Sequence, residues 1–301
     1  MIKNNIKATN SRGDTFQFDN VNRIVDGLNL SGLGASINRT ETTAPGSVYQ
    51  NTRLNERSGD LLVHLYVNGA TQEVMDMRRE QLYRVFNPET NPIRLEFENS
   101  EGVAHYMTIQ ITATPFMGPG KSDYNAAYQK MLIQWIATDP YIYVDDDANG
   151  TGGMEEIAAW VPNFKFDLEI PDPGIELEYR EQSLVATIDY KGSSDTGMIV
   201  KFVANGPVTN PYIQNVVTFE KIQLNISMIA GDIIEVNTEK GNRSIIGIRN
   251  GVRTNIFYSY SLVDSTFITL SPGDNSFTYG ASSGMEALDI YIYYRTKKVG
   301  L

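Results

Sequence analysis

Apolar and polar residues alternate in two neighbouring segments of the first half of the chain. Residues 92–98 read PIRLEFE and residues 105–112 read HYMTIQIT, so every second side chain is apolar in both. Such alternation is typical of strands with one buried face. The turn-forming residues 99–102 lie between the two segments, and together the pattern predicts a β-hairpin.

A helical pattern precedes this hairpin. Residues 71–86 read TQEVMDMRREQLYRVF, with Thr71 as a candidate N-cap and Glu73 in the first turn. Three apolar residues share one helical face: Met75, Leu82 and Phe86. Asn87-Pro88 follows and disfavours continuation of the helix.

A second helix is predicted to begin at Ser122. Residues 122–137 read SDYNAAYQKMLIQWIA. Four apolar residues recur at spacings of four, three and four: Tyr124, Tyr128, Met131 and Trp135. A stripe of this kind indicates a buried helix face rather than a cofactor site.

After residue 160 the pattern indicates strands only. Short alternating segments follow one another about every ten residues, separated by Gly, Asn, Asp and Pro. The predicted strands are FKFDLEI, IELEY, LVATIDY, MIVKFVA, IQLNIS, DIIEVNT, NIFYSYSLV, STFITL, NSFTY and LDIYIYYR. This spacing is typical of an antiparallel β-sandwich.

These patterns predict two domains joined by a polar connector. The expected fold class is a strand-rich α+β domain, resembling a split barrel with helices, followed by an all-β sandwich. We expect the first domain to span residues 1–144, the connector residues 145–160 and the sandwich residues 161–301. A length of 301 residues suits two domains of ordinary size.

Composition excludes several classes of function. The formal net charge is −11 and there is no cluster of Lys and Arg, which argues against a nucleic-acid surface. The chain has no cysteine, so disulfides and zinc–thiolate sites are ruled out. No segment is apolar enough over about 18 residues to predict a membrane span, and residues 1–18 do not resemble a signal peptide. We therefore expect a protein made in the cytoplasm, with no membrane partner.

Candidate catalytic residues are few. The two histidines, His64 and His105, lie in predicted strands without acidic neighbours at ligand spacing, and we interpret both as hydrogen-bonded strand residues. Residues 280–284 read GASSG and match the GxSxG pattern at Ser282. That motif requires a strand before the serine and a helix after it, whereas strands flank Ser282 on both sides. We predict no enzymatic activity and no cofactor.

An acidic stretch, DDDANGTGGMEE at residues 145–156, matches the pattern of a calcium-binding loop. The oxygen ligands would come from Asp145, Asp147, Asn149, Thr151 and Glu156, and Gly150 would allow the sharp turn. However, an extended segment enters the stretch where a helix is expected, and Gly153 offers no side-chain oxygen. A charged connector without metal is the favoured interpretation.

The second domain resembles the C-terminal half of the siphophage distal tail protein family. The resemblance runs through FKFDLEIPDPGIELEYREQSLVATIDYKGSSDTGMIVKF, NPYIQN, LNISMIAGDIIEVNTEKG and NGVRTNIFYSYSLVDSTFITLSPGDNSFTYGA, and it closes with LDIYIYYRTKKVGL. The most telling phrase is Leu270-Ser-Pro-Gly-Asp-Asn275. More diffusely, the resemblance reaches back to about residue 60 and includes Asp139-Pro140-Tyr141.

This resemblance implies a structural role at the tip of a phage tail. In that family the N-terminal domain forms a ring, typically a hexamer, and a galectin-like sandwich projects outward. The implied partners are further copies of the chain, the tail tube protein, the tail-tip hub protein and the receptor-binding or other baseplate proteins. The implied location is the tail tip of the virion.

A carbohydrate-binding module is the alternative, because galectin-like sandwiches often bind sugars. Galectin sites combine His, Asn and Arg with a stacked Trp. The predicted sandwich contains no histidine, and its nearest tryptophan, Trp160, precedes the first strand. A galectin-type sugar site is therefore not expected.

Overall fold

A computed structural model describes most of the chain. It describes residues 3–19, 23–26, 35–40, 50–66, 71–99, 101–120, 123–125, 127–145, 153–156, 160–162, 178–180 and 185–300. The chain divides into two compact units, the first comprising Met1–Asp145 and Lys298–Leu301 and the second Asp146–Lys297. None of the helices in these described ranges is long and apolar enough to cross a bilayer.

The first unit is built on a large antiparallel sheet. Its strands are β1 (Lys3–Thr9), β2 (Thr15–Gln17), β3 (Arg23–Asp26), β4 (Ala35–Thr40), β5 (Gln50–Tyr66), β6 (Ile93–Glu98), β7 (Ala104–Ile111), β8 (Phe116–Met117), β9 (Tyr124–Asn125), β10 (Tyr128–Ala137) and β11 (Ile142–Val144). The central path is β2-β1-β6-β7-β10-β5-β3, with β4 beside β5, β8 and β9 beside β10, and β11 beside β7.

The predicted hairpin and the first predicted helix are confirmed. Strands β6 and β7 pair from Ile93↔Ile109 to Glu98↔Ala104, and the apolar residues of β6 are buried. Helix α1 (Gln72–Val85) has Thr71 at its N-cap position, although the Thr71 side chain makes no capping hydrogen bond. A 3-10 helix, Pro88–Thr90, follows. The predicted apolar face of α1 lies in the core of the unit.

The predicted helix from Ser122 is wrong, because the structure has strands there. Residues 128–137 form β10, which pairs with β5 along ten residue pairs, from Tyr128↔Tyr66 to Ala137↔Arg57. Among the described residues, α1 is therefore the one α-helix of an otherwise strand-rich unit. The core assignment holds for Met131 and Trp135, which are fully buried, but it is wrong for Tyr128, which is partly exposed on the other face of β10.

Two residues of β5 show how tightly this sheet is packed. A Cβ atom on Gly59 would lie 2.9 Å from Cζ2 of Trp135, so a larger residue at position 59 would displace the indole ring. Arg57 is fully buried and donates from Nη2 to the carbonyl of Val299. Burial lowers the pKa of Arg57. This hydrogen bond helps to explain why the last four residues belong to the first unit.

The second unit contains two main sheets. Its strands are β12 (Gly153–Glu156), β13 (Trp160–Pro162), β14 (Glu178–Arg180), β15 (Ala186–Tyr190), β16 (Met198–Ala204), β17 (Val208–Thr209), β18 (Tyr212–Asn215), β19 (Lys221–Gln223), β20 (Ser227–Met228), β21 (Ile233–Asn237), β22 (Ser244–Arg249), β23 (Val252–Asn255), β24 (Gly273–Gly280) and β25 (Leu288–Tyr294), and β26 (Lys297–Lys298) lies at the second division. One sheet has the order β12-β25-β16-β21-β22-β23 and the other β15-β24-β18-β19.

These two sheets share one hydrophobic core. Phe202 and Ile234 come from the first sheet and Ile213 and Phe277 from the second, and all four are buried in the same cluster. Strand β16 buries every second residue, as its sequence pattern predicts. The described part of this unit is therefore a β-sandwich.

Some of the strands predicted for the second unit are not observed as strands. Beyond Asn255, the last residue of β23, NIFYSYSLV is not a strand: it contains a 3-10 helix, Phe257–Ser259, and makes one isolated bridge, Leu224↔Tyr260. STFITL is not a strand either and makes the isolated bridge Thr196↔Leu270. FKFDLEI lies outside the described residues. The predicted connector, residues 145–160, falls at the division between the units, and its residues Gly153–Glu156 form β12 in the sheet of the second unit.

Candidate interaction surfaces

Asp145, the first residue of the predicted calcium loop, is held by an arginine. Its carboxylate accepts a hydrogen bond of 2.7 Å from Nη2 of Arg94, and the guanidinium carbon lies 3.7 Å from the ring centre of Tyr106. Arg94 also donates to Glu96 at 2.8 Å. Burial would raise the pKa of Glu96, but hydrogen bonds from Lys7 and Arg94 outweigh it and lower that pKa. Asp145 therefore belongs to a charge network of the first unit.

One other candidate calcium ligand of this loop lies within the described residues. Glu156 is the last residue of β12 and pairs with Tyr291 of β25. Asp147, Asn149 and Thr151 lie outside the described residues. Within the described ranges, no three acidic or histidine side chains come together as a metal site would require. Whether residues 145–156 bind calcium stays a prediction of the sequence.

Both histidines are hydrogen-bonded strand residues, as predicted. In β5, Nδ1 of His64 lies 2.9 Å from the hydroxyl of Tyr128, and in β7, Nδ1 of His105 lies 2.9 Å from the carbonyl of Val103. Ser282 follows β24 in a loop, and its backbone N–H donates to the carbonyl of Thr209. The 3-10 helix Met285–Ala287 comes next and leads into β25, so Ser282 does not precede an α-helix. Its surroundings are not those of a nucleophile elbow.

Five large apolar side chains stand out from the surface of the second unit. They are the five most exposed in the described residues, at 72–93% of their full area, and we call them the apolar edge: Val217, Phe219, Tyr258, Leu262 and Val263. They come from only two segments, residues 216–219 and 257–263. Exposed apolar side chains that cluster in this way mark interaction surfaces.

A rigid turn presents the first part of the apolar edge. The side chain of Asn215 accepts hydrogen bonds from the N–H groups of Val217 and Thr218, at 2.9 and 3.0 Å. Phe219 has a φ of 60°, which is an uncommon conformation for a bulky residue, and its N–H donates to the carbonyl of Asn215. Backbone strain that local hydrogen bonds maintain is often found at functional sites.

Hydrogen bonds bring the second segment beside the first. The N–H of Ser261 donates to the carbonyl of Gln223 at 3.1 Å, and the N–H of Thr266 donates to the carbonyl of Lys221 at 2.7 Å. The segment that carries Leu262 therefore runs along β19, and β19 is the strand that follows the Phe219 turn in the chain. The two parts of the apolar edge therefore belong to segments that are neighbours through β19.

A cleft of about 580 Å³ lies near Tyr258, at the end of the six-stranded sheet. It is lined mainly by apolar residues, among them Ile226, Met228, Gly247, Val252, Ile256 and Tyr258. A Cβ atom at Gly247 would come within 3.1 Å of Cδ1 of Ile256, so a larger residue at position 247 would push against that side chain. Its volume lies in the range of small-ligand sites and of pockets that receive a side chain.

An ion pair closes one side of this cleft. Nε of Arg249 donates to Oδ1 of Asp232 at 2.7 Å, and Nη2 of Arg249 donates to the other oxygen. The N–H of Ile229 also donates to Asp232. The hydrogen bond from Arg249 is the main cause that lowers the pKa of Asp232. The two charges largely neutralise each other, so the cleft offers no net charge to a ligand.

The first unit has an aromatic patch on the outer face of β5 and β10, formed by His64, Tyr66 and Tyr128. The ring centres of Tyr66 and Tyr128 are 5.1 Å apart, and those of His64 and Tyr128 are 6.0 Å apart. Burial is the main cause that raises the pKa of Tyr128. Val63 and Leu65 alternate with the patch along β5 and are buried in the core. The patch therefore faces away from the core of its own unit.

The sequence of the second unit matches a known family. Residues 191–297 match the family model described as siphovirus-type tail component, C-terminal domain. The second unit therefore carries the C-terminal domain of a siphovirus-type tail component. The resemblance stated from the sequence is thereby confirmed. No curated protein matches the sequence.

Two solved phage structures are similar to this chain along its whole length. The SPP1 Dit protein, described as a paradigm of the hub adsorption apparatus in phages infecting Gram-positive bacteria, has a TM-score of 0.62 at 13% identity, covering 97% of this chain and 98% of its own. A chain of the phage P2 baseplate, in its activated conformation with calcium, has a TM-score of 0.51 at 11% identity and 99% coverage of both chains. At these identities the likeness shows the fold.

The apolar edge and the cleft were not predicted from the sequence. Their apolar residues lie in segments that alternate weakly, such as NIFYSYSLV, which the pattern assigns to a buried strand. One signal could have located the hairpin that borders the cleft: Asn250-Gly251 stands between two strands, and this dipeptide is a strong hairpin signal. Exposure itself depends on which face of a loop the fold covers, and the local sequence does not determine that.

Proposed function

We propose that this protein is a structural adaptor of the tail tip of a long-tailed phage. Copies of the chain form a ring, with six members, that joins the tail tube to the hub and the receptor-binding apparatus. The observation that carries the proposal is the family match of residues 191–297 to a tail component. The fold likeness to the SPP1 hub protein along the whole chain supports the same role. The protein is made in the host cytoplasm and acts in the virion, without catalytic activity.

Within this proposal, the first unit forms the ring and the second unit projects from it as a galectin-like arm. A ring requires two complementary surfaces on each copy, because a head-to-tail contact closes only at the right rotation. The aromatic patch supplies one such surface on the first unit, since His64, Tyr66 and Tyr128 face away from the core. Aromatic side chains are enriched among the residues that dominate interface energies.

The mass of the full-length protein tests the ring. We expect light scattering at increasing concentration to show an assembly of about six copies. The double variant Tyr66→Ala/Tyr128→Ala should weaken each contact by about tenfold or more, because each buried aromatic contributes on the order of 1–2 kcal/mol to an interface.

A matched control is Tyr83→Ala on α1. Tyr83 and Tyr66 are equally exposed, at 38%, but Tyr83 lies outside the aromatic patch. The control should assemble like the original protein. Equal masses for the double variant and the control would contradict the role of the patch, and a monomer at every concentration would contradict self-assembly.

The alternative function, a carbohydrate-binding module that contacts the host cell wall, has one supporting observation. Tyr258 is 81% exposed beside the cleft, and exposed aromatic rings are common sugar-stacking surfaces. The polar residues Ser227 and Thr254 also line the cleft. Residues 161–301 lack the histidine of galectin-type sites, and we favour the adaptor.

A further inference from the structure

Strand β23 is an edge of the six-stranded sheet and is exposed along its whole length. It pairs with β22 on one side, from Arg249↔Val252 to Ile246↔Asn255, and in the described part of the chain no strand pairs with its other side. All four of its residues are exposed. Natural proteins usually cover, shorten or charge such an edge, because its free N–H and C=O groups can pair with another chain.

The hairpin geometry shows which main-chain groups are free. Asn250 and Gly251 both have positive φ, 51° and 76°, as a tight two-residue turn requires. In such a hairpin the first pair after the turn is hydrogen-bonded, so Val252 and Thr254 direct their N–H and C=O groups toward β22. The N–H of Ile256 continues this alternation by donating to Ile245. Arg253 and Asn255 therefore direct their main-chain groups toward the open edge.

The cleft lies on one face of the same edge. Val252 and Thr254 line it, together with Tyr258, which is the most exposed large apolar residue of its lining. Because Asp232 and Arg249 neutralise each other at the rim, a charged ligand gains little there. The surface thus combines a row of unpaired main-chain groups with an adjacent apolar space.

From this juxtaposition we propose that β23 binds an extended segment of another protein as a seventh strand of the sheet. The segment would pair with Arg253 and Asn255 and place an apolar side chain in the cleft beside Tyr258. This is the recognition mode called β-augmentation, in which main-chain hydrogen bonds give affinity and side-chain pockets give specificity. The proposal rests on the proposed function, since it describes how the adaptor holds a neighbouring tail-tip protein.

Two other occupants fit the observations less well. A saccharide does not carry donors and acceptors at the two-residue repeat that Arg253 and Asn255 present along a strand. A second copy of this chain, pairing β23 with β23, would form a contact with two-fold symmetry. A single ring of head-to-tail contacts contains no such two-fold axis between its members.

The experiment uses the full-length protein and a defined peptide, acetyl-Thr-Val-Thr-Val-Thr-Val-amide. Its valines share one face of an extended strand and its threonines share the other. Hydrogen exchange is measured at single amides with and without the peptide. The amides of Arg253 and Asn255 should exchange more slowly, by about tenfold or more at saturation, because a new strand would hydrogen-bond them. The amides of Val252 and Thr254, already bonded to β22, should change little.

A peptide with an N-methyl group at every amide is the matched probe, because it has the same side chains but no N–H group on either edge with which to form the strand ladder. It should give no protection. Equal protection by both peptides would overturn the proposal. Protection by maltohexaose with none by the unmodified peptide would also overturn it, in favour of a saccharide site. Without peptide, protection of Arg253 and Asn255 that grows with protein concentration would overturn it in favour of a second copy.

Variants of β23 separate the contribution of its main chain to peptide binding from that of its side chains. Arg253→Pro removes one outward N–H, and proline is tolerated on an edge strand where that N–H faces solvent. Arg253→Ala keeps the N–H but removes the 2.6 Å ion pair with Glu235, and it is the control. The proline variant should lose peptide binding and the alanine variant should keep it. Unchanged exchange at core amides such as Phe202 verifies that both variants fold.

The cleft has its own pair of variants. Tyr258→Ala should weaken peptide binding by about tenfold, whereas Phe116→Ala, at an exposed aromatic residue of the first unit outside the cleft lining, should leave it unchanged. Equal effects of the two variants would contradict the role of the cleft. The ring is measured separately, and Arg253→Pro should not alter its mass. A failure of strand addition is thereby distinguished from a failure of the proposed function.

Discussion

At the scale of single residues, Asp145 has a role that its sequence motif does not indicate. The motif offers it as the first calcium ligand, but its carboxylate forms an ion pair with Arg94, whose guanidinium also bonds Glu96 and stacks on Tyr106. A carboxylate that is already paired must break that pair before it can bind a metal. The structure thus adds a physical argument for a connector without calcium.

We predict that millimolar calcium leaves the melting temperature of the protein unchanged, because a ligand stabilises a protein only if it binds the folded state. Asp145→Asn should lower the free energy of unfolding by at most about 1 kcal/mol, since the Arg94 pair is partly exposed. Glu96→Gln is the control, because it also removes a carboxylate that pairs with Arg94, but Glu96 lies outside the candidate calcium loop. A calcium-dependent rise in melting temperature that Glu96→Gln keeps and Asp145→Asn loses would establish the calcium site.

At the scale of elements, residues 128–137 show what a sequence pattern can and cannot decide. Residues four apart share a face in a helix and also in a strand, so Met131 and Trp135 fit both. Ile133 and Ala137 are buried on the same side and fit only the strand. Gln129 is buried as well, and this polar residue hides the alternation. The long pairing with β5 decides the outcome, and that contact is distant in sequence.

Other elements could be predicted because their signals are local. Helix α1 has a threonine at its N-cap position, a periodic face and a proline after its end, all within twenty residues, and the β6–β7 hairpin has clean alternation on both sides of its turn. The loops that carry the apolar edge have no such signal. Phe219 and Leu262 are exposed because the fold leaves these loops uncovered, and that depends on contacts distant in sequence.

The ion pair between Asp232 and Arg249 links two elements of the second unit, and it predicts how the stability of the protein depends on pH. Asp232 directly precedes β21 and binds Arg249 at the end of β22, next to the hairpin that carries β23. Because the pKa of Asp232 is lowered on folding, the pair stabilises the unit above the pKa of an unfolded aspartate, about 3.9. That contribution is lost as pH falls through the lower, folded-state pKa.

We therefore expect Asp232→Asn to lower the melting temperature at neutral pH, with a difference from the original protein that shrinks below about pH 4. Asp274→Asn, at an exposed aspartate of β24, is the control and should behave like the original protein at every pH. Calorimetry between pH 2 and pH 7 measures this, with the range chosen to bracket the aspartate pKa at about 3.9. A difference that stays constant with pH would contradict a role for the charge.

At the scale of the whole molecule, the two units divide the proposed work. The first unit carries an outward aromatic patch on a large sheet, and the second carries the apolar edge, the cleft and the open strand β23. In the proposed adaptor, one set of surfaces closes the ring and the other binds neighbouring proteins. The absence of cysteine from the sequence makes this division measurable, because a single introduced thiol is a unique label.

The most direct test of the account is the position of that label in the assembled protein. Ser282→Cys places a thiol in an exposed loop of the second unit, and Thr112→Cys places one in an exposed position of the first. Each variant is labelled with a small gold particle and imaged by electron microscopy. The account predicts closed rings with gold on the outer rim for Ser282→Cys and closer to the centre for Thr112→Cys. Rings with the Ser282→Cys label at the centre, or open filaments in place of rings, would contradict it.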